Sequence, residues 1–218
     1  MQNQWGVNSN RTMVLNFDKT NSKNWKSDTY VKLNSPNDAI LYELHIRDIT
    51  IQKEANSSFA GKYIGLVEQR TKSHQNMSTA IEHIKELGIT HVHLLPAFDQ
   101  YSIDETNLEK AQFNWGYDPK NYNAPEGSFS TNPFDASVRI IEFKTIVKVF
   151  HDANIGVILY VVYNITGRTE NSNFNLENPD YYYRFDQNGN FSDAAACGNE
   201  TASEKEMMRK FMLASVKH

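Results

Sequence analysis

An α/β fold is predicted for this chain by three observations. Strand-like and helix-like patterns alternate along most of its length, in the order expected of parallel βαβ units. Residues 157–163 are a continuous apolar run rich in β-branched side chains, the pattern of a strand inside a parallel sheet. Between Asp135 and Asn154, Val138, Ile141, Ile146, Val149 and Phe150 recur at helical spacing with polar residues between them, giving a helix with one apolar stripe.

Taken in order, residues 12–17 alternate and end at Asp18, and residues 30–33 form a second short run, so two β segments are expected before residue 34. Asn34-Ser35-Pro36-Asn37-Asp38 is a turn cluster and marks a boundary between residues 1–34 and 35–218. Residues 40–46 read as a buried strand. Residues 48–75 are loop-rich, with Gly61 and Gly65. Ile81, Ile84 and Leu87 give a helix over 79–87, which Gly88 stops. Residues 91–95 are a short strand ended by Pro96, and the strand at 157–163 follows the long helix. A loop runs on to Asn199. A helix over 202–217 then places Met207, Met208, Phe211, Met212 and Val216 toward a core, where methionines fill gaps rather than bind ligands.

Composition narrows the function. Hydrophobic residues make up 39% of the chain and aromatics 12%, enough for a packed globular core. A net charge of −4 argues against nucleic acid or an anionic membrane as the main partner. No run of 18 apolar residues occurs, and the polar stretch 1–11 lacks the apolar segment of a signal peptide. The single cysteine, Cys197, excludes an intrachain disulfide, fits a cytoplasmic setting and is expected to be structural rather than nucleophilic.

Residues 113–127, Phe-Asn-Trp-Gly-Tyr-Asp-Pro-Lys-Asn-Tyr-Asn-Ala-Pro-Glu-Gly, follow neither helical nor strand periodicity. Two prolines bar a helix interior, and Gly116 permits backbone angles other residues resist. The stretch is expected to be a shaped loop carrying Trp115, Tyr117 and Tyr122. Flat rings on a stiff loop can stack on the apolar faces of sugar rings; they can equally plug a core, and composition alone does not choose.

Asn114-Trp115-Gly116-Tyr117-Asp118-Pro119, followed by Asn121-Tyr122, resembles the signature loop of type I pullulanases, members of glycoside hydrolase family 13 in the α-amylase superfamily. The likeness continues in order through most of the chain. Ile40-Leu41-Tyr42-Glu43-Leu44-His45 resembles the family's first barrel strand. Gly88-Ile89-Thr90-His91-Val92-His93-Leu94-Leu95-Pro96 resembles its second strand, Gly156-Val157-Ile158-Leu159-Tyr160-Val161-Val162-Tyr163-Asn164 its third, and Ala196-Cys197-Gly198-Asn199-Glu200 the region after it. The resemblance implies a partial (β/α)8 TIM barrel of three βα units over 35–218, with residues 1–34 as the remnant of a preceding β-sandwich domain. A full barrel needs about 250 residues.

It also implies α-glucan partners (pullulan, glycogen or limit dextrin) and α-1,6-bond hydrolysis as the parent activity. Tyr117 would stack beneath the sugar before the scissile bond, Asp118 would hydrogen-bond it, Trp115 would lie in the same binding surface, and Asn164 would stand at the site rim. Asn164 reads equally well as a satisfied loop-starting side chain. No metal or cofactor is expected. Retaining glycosidases need two carboxyl groups roughly 5 Å apart. The family places these after its fourth and fifth strands, beyond the matched region, so no catalytic residue is assigned and the chain is expected to be inactive alone. Asp99, Asp104 and Glu105 are read as a solvated loop. Two departures reinforce the expectation of inactivity: the family's Asp-Val-Val-Tyr-Asn-His reads Tyr160-Val161-Val162-Tyr163-Asn164-Ile165 here. A tyrosine cannot carry the aspartate's charge, and isoleucine has no hydrogen-bonding group. Completion by a second polypeptide, or self-association covering an exposed sheet face, are the alternatives.

Overall fold

The structure is a computed structural model that describes residues 12–217. Three parallel strands, β1 (Leu41–Leu44), β2 (His91–Leu94) and β5 (Gly156–Leu159), form one sheet in the order β1-β2-β5. Registers run Leu41↔His91↔Gly156 through Leu44↔Leu94↔Leu159. The crossovers carry short helices α1 (Asp48–Ile51) and α2 (Tyr63–Leu66), then α3 (Ala80–Glu86), and the long α4 (Ala136–Asp152). An antiparallel pair, β3 (Phe98–Gln100) and β4 (Pro119–Pro125), stands beside the sheet, and α5 (Asn173–Glu177) and α6 (Glu206–Lys217) close the described chain. No helix among the described residues is long and apolar enough to cross a membrane.

One face of the sheet is covered. Leu44, Val92 and Leu94 point into a core with Tyr63, Leu66, Ile81, Ile84, Ile146 and Phe150. This is the apolar stripe read from α3 and α4 meeting every second residue of the strands. Asp135 caps α4 by accepting from the Ser137 amide at 2.9 Å, and Gly88 leaves α3 at φ +66°. Glu43, His93 and Ile158 share a register row and face the other way, where the sheet is open: Leu41 is 54% exposed and Tyr160 37%. The expected strand at 157–163 therefore ends at Leu159, and Leu159 and Val161 are exposed rather than enclosed.

Two sequence expectations are corrected. Residues 12–17 and 30–33 are not strands: no partner strand pairs with them, and the chain forms 3-10 turns at Phe17–Thr20 and Trp25–Ser27 instead. The Asn16 side chain starts the first by accepting from the Asp18 amide. The remainder of the expected β segment, residues 1–11 with its signal-peptide reading, lies outside the described residues. Residues 12–34 dock on α4, where Lys144 reaches Asn21 at 2.8 Å, His151 meets Asp28 at 2.7 Å and Lys148 lies 3.9 Å from Asp28. Met207 and Val216, expected in the core, are 47% and 70% exposed; Met208 is fully buried.

Candidate functional site

The aromatic stretch sits after β2, beyond the C-terminal ends of the parallel strands, where (β/α)8 proteins build their sites. It is partly strand, contrary to expectation: Pro119–Pro125 pairs with Phe98–Gln100, with register shifts on either side of Asp99. Alternation does not reveal this strand because prolines occupy both its ends and the pairing is irregular. Ahead of it the chain turns at Gly116. Its φ is +91°, and a Cβ there would lie 2.2 Å from the Pro96 carbonyl oxygen, so only glycine fits. Asn114 steadies the turn by accepting from the Gly116 amide at 2.6 Å while its amide donates to Ser102 Oγ.

Asp118 is half-buried. Its Oδ2 accepts from the Ser102 amide at 2.8 Å, and its Oδ1 is buried with no hydrogen-bond partner. Burial raises its carboxyl above the usual range, against the hydrogen bonds from Ser102. Tyr117 meets Tyr160 edge to face at 5.4 Å between ring centroids. Tyr160 in turn stacks on His93 at 5.3 Å and 27°, and His93 Nδ1 lies 3.3 Å from Glu43 Oε2. Burial raises the Tyr117 hydroxyl pKa, with Tyr160 adding to it. Tyr160 thus forms one wall of a ring stack on the open sheet face. Trp115 is the open aromatic, 63% exposed, and Phe113 meets it edge to face at 6.3 Å. Beneath them His45, at the tip of β1, contacts the Asn114 carbonyl at 3.0 Å; burial lowers its pKa.

Asn164 is exposed, and its backbone carbonyl accepts from the Thr201 amide at 2.9 Å. No contact joins it to Tyr117 or Asp118 among the described residues. Ile165 is buried, and its carbonyl accepts from Tyr122 Oη at 2.7 Å. Cys197 is exposed; its amide and that of Gly198 both donate to Asp193 Oδ1 at 2.7 Å.

The largest departure is a buried charge cluster. Asp99 and Glu105 are not solvated: with Glu126 and Arg139 they are all at most 4% exposed. Only Asp104, of the three acids read as a loop, faces solvent. Arg139 donates to Glu105 at 2.8 Å and lies 3.4 Å from Asp99, and its Nη1 and Nη2 also donate to the Pro125 and Pro133 carbonyls at 3.2 and 3.0 Å. Glu126 accepts from the Gln100 and Ser128 amides at 2.6 and 2.8 Å, Glu105 from the Gly127 amide at 2.7 Å, and Asp99 from the Asn121 side chain at 2.6 Å. Burial, with Glu105 beside it, pushes Asp99 up to about 7; burial with Glu105 and Asp99 pushes Glu126 up to about 8. The three carboxylates offer oxygens within 4.8 Å of one another, a spacing that could suit a metal, but Arg139 already supplies a cation there. A signal was available in the sequence: Asp99 and Glu105 precede the aromatic stretch, Glu126 lies within it and Arg139 follows it, and only their convergence was hidden.

Two cavities adjoin the stretch. The smaller, about 290 Å³, lies under it between His45, Arg47, Lys62, Phe113, Asn114 and Phe129. The larger, about 790 Å³, is lined by Lys120, Asn121, Tyr122, Arg168, Phe174 and Phe211 among others, and reaches none of Trp115, Tyr117, Asp118 or Asn164.

No family model matches the chain. It is 41% identical over 177 residues to a pullulanase of Bacillus subtilis (strain 168), a match covering 81% of this chain and 24% of that protein. It is 32% identical over 203 residues to the glycogen operon protein GlgX homolog of Haemophilus influenzae, covering 87% of this chain and 27% of that protein. The crystal structure of Paenibacillus barengoltzii pullulanase in complex with maltohexaose and α-cyclodextrin superposes with a TM-score of 0.96 at 42% identity, over 98% of this chain and 33% of that one. The chain thus spans about a quarter of the curated relatives named and a third of the solved one.

Proposed function

Since the chain belongs to the pullulanase family and matches 24% of the length of one member and 33% of another, we propose that it is the glucan-holding opening part of an α-1,6-debranching barrel. In this reading residues 35–218 are the first three βα units of a (β/α)8 barrel and residues 1–34 the end of a preceding β-sandwich domain. Its task is to hold α-glucan, as in pullulan, glycogen or limit dextrin, against the aromatic loop. Trp115 and Tyr117 offer the rings, Asp118 a hydrogen-bonding carboxylate, and Asn164 the rim.

The observation that carries the reading is Trp115, 63% exposed on a turn that Gly116 and Asn114 fix beyond the strand ends. An exposed indole on a rigid support loses little entropy on stacking with a sugar ring. The relative crystallised with maltohexaose supports the ligand class. Hydrolysis by this chain alone is not part of the proposal. Tyr160 stands where the family has an aspartate, and Asp99, Glu105 and Glu126 are tied into the Arg139 cluster. A cytoplasmic setting goes with this reading and is supported by Cys197, an exposed free thiol.

Titration calorimetry with maltohexaose, run beside a reducing-sugar assay on pullulan, tests it. Binding without release of reducing ends is expected; release of reducing ends by the pure chain overturns the non-catalytic role, and no binding overturns the glucan role. The open face bearing Leu41 and Tyr160 favours a second reading, in which another copy or a completing polypeptide covers that face. Sedimentation over a concentration series checks it: a monomer throughout excludes self-association.

A further inference from the structure

Three carboxylates and one guanidinium are sealed beneath the hairpin that presents the aromatic loop, and the charges do not balance. Asp99 comes from β3, Glu105 from the following loop, Glu126 from the end of β4 and Arg139 from α4. The other groups facing the cluster are Glu142 on α4 and, from α2 and the residue before it, Tyr63 and Lys62. Glu142 accepts from the Thr131 amide at 3.0 Å, Tyr63 Oη donates to the Glu126 carbonyl at 2.9 Å, and Lys62 donates to the Ser128 carbonyl at 2.7 Å. Burial lowers the Lys62 pKa, so it is a weakened source of compensating charge. Like charges crowded out of water cannot all stay ionised.

We infer that the buried cluster of Asp99, Glu105 and Glu126 retains a proton through neutral pH, and that this proton seats the hairpin carrying Tyr117 and Asp118. Asp99, Glu105 and Glu126 bring carboxylate oxygens within 4.8 Å of one another, and Glu105 also takes hydrogen bonds from the Arg139 guanidinium and the Gly127 amide. The same cluster fixes Gln100 through Glu126 and Asn121 through Asp99, on facing strands of the hairpin where Asp99 pairs with Asn121 and Gln100 with Pro119, next to the Ser102–Asp118 contact. Loss of the proton leaves two adjacent buried anions under one arginine and loosens the base of the loop. Asp99 and Glu105 are therefore positioning residues. Their effect on glucan rests on the function proposed above; the proton does not.

The sign follows from linkage. A carboxyl that keeps its proton longer when folded gives stability that is complete below its unfolded pKa and declines as pH rises through the folded value, which for Asp99 is about 7. The test is a carboxyl-carbon NMR titration of the full chain from about pH 5 to about pH 9, with urea unfolding across the same range. A carboxyl midpoint above about pH 6 is expected, with the amides of Gln100 and Gly127 shifting at the same midpoint and the unfolding constant rising up to tenfold per pH unit. Asp99→Asn combined with Glu126→Gln, which keeps an N–H donor in place of each carboxyl proton, should remove that pH dependence. If every carboxyl titrates below about pH 5.5, or if the double variant keeps the wild-type slope, the inference is overturned. Should the variant fail to fold, the wild-type titration decides alone. Maltohexaose affinity over the same range separates the two ideas: binding that weakens with the titration supports the coupling, binding indifferent to it overturns the coupling, and absence of binding at every pH overturns only the glucan reading.

Discussion

Replacing Arg139 with methionine isolates what the cluster contributes. The side chain is 4% exposed and makes one close ion pair with Glu105, a longer one with Asp99 and two hydrogen bonds to proline carbonyls. Methionine keeps most of the stem's packing, so the loss is mainly electrostatic. Removing one partner of a buried ion pair costs about 3–5 kcal/mol because the remaining charge is stranded. Here the stranded charges can take up protons, so the cost depends on pH. Near pH 5 Asp99 and Glu126 are largely neutral and the loss falls toward the hydrogen bonds alone, about 1–2 kcal/mol. Near pH 8 they ionise and the loss approaches the upper figure. Urea unfolding followed by tryptophan fluorescence at both pH values gives the two numbers. A loss below about 1 kcal/mol at pH 8, or the same loss at both pH values, would refute the reasoning.

Three further substitutions probe separate parts. Gly116→Ala forces a left-handed residue against the Pro96 carbonyl and should cost about 1–3 kcal/mol in thermal unfolding while displacing Trp115, seen as a shift in its fluorescence. Phe150→Ala empties the centre of the core under the sheet, where Phe150 is fully buried, and should cost about 3–5 kcal/mol in urea. Trp115→Ala should leave stability within about 0.5 kcal/mol, since the ring is mostly in solvent, yet weaken maltohexaose binding at least tenfold by calorimetry; unchanged affinity counts against the indole as the stacking surface.

The parallel sheet was legible because its signals are local. Ile81 and Ile84 in α3, Ile146 and Phe150 in α4, and the apolar run before Tyr160 each announce an element from neighbours within a few residues. Gly116 was legible for the same reason. The hairpin was not, since β4 has no alternation and its order comes from Asp99 reaching Asn121. The charge cluster was hidden more deeply: Asp99, Glu105, Glu126 and Arg139 span 40 residues, and nothing local says that four charged side chains leave water together. The strands expected before residue 34 failed for the opposite reason. Alternation at 12–17 is a genuine local pattern, but a strand exists only by pairing, and Asn16 drew the chain into a turn.

The docking of residues 12–34 on α4 also dictates an order of assembly. Asn21 and Lys144 are 123 residues apart, as are Asp28 and His151. During synthesis at about 5–20 residues per second, the early segment waits about 6–25 seconds for the helix that receives it. It makes no strand of its own in the folded chain, and Val14 and Tyr30 remain largely exposed even when it has docked. The first described part of the chain to be made is thus among the last to find its contacts, and closing so long a loop becomes worthwhile only after α4 has settled on the sheet.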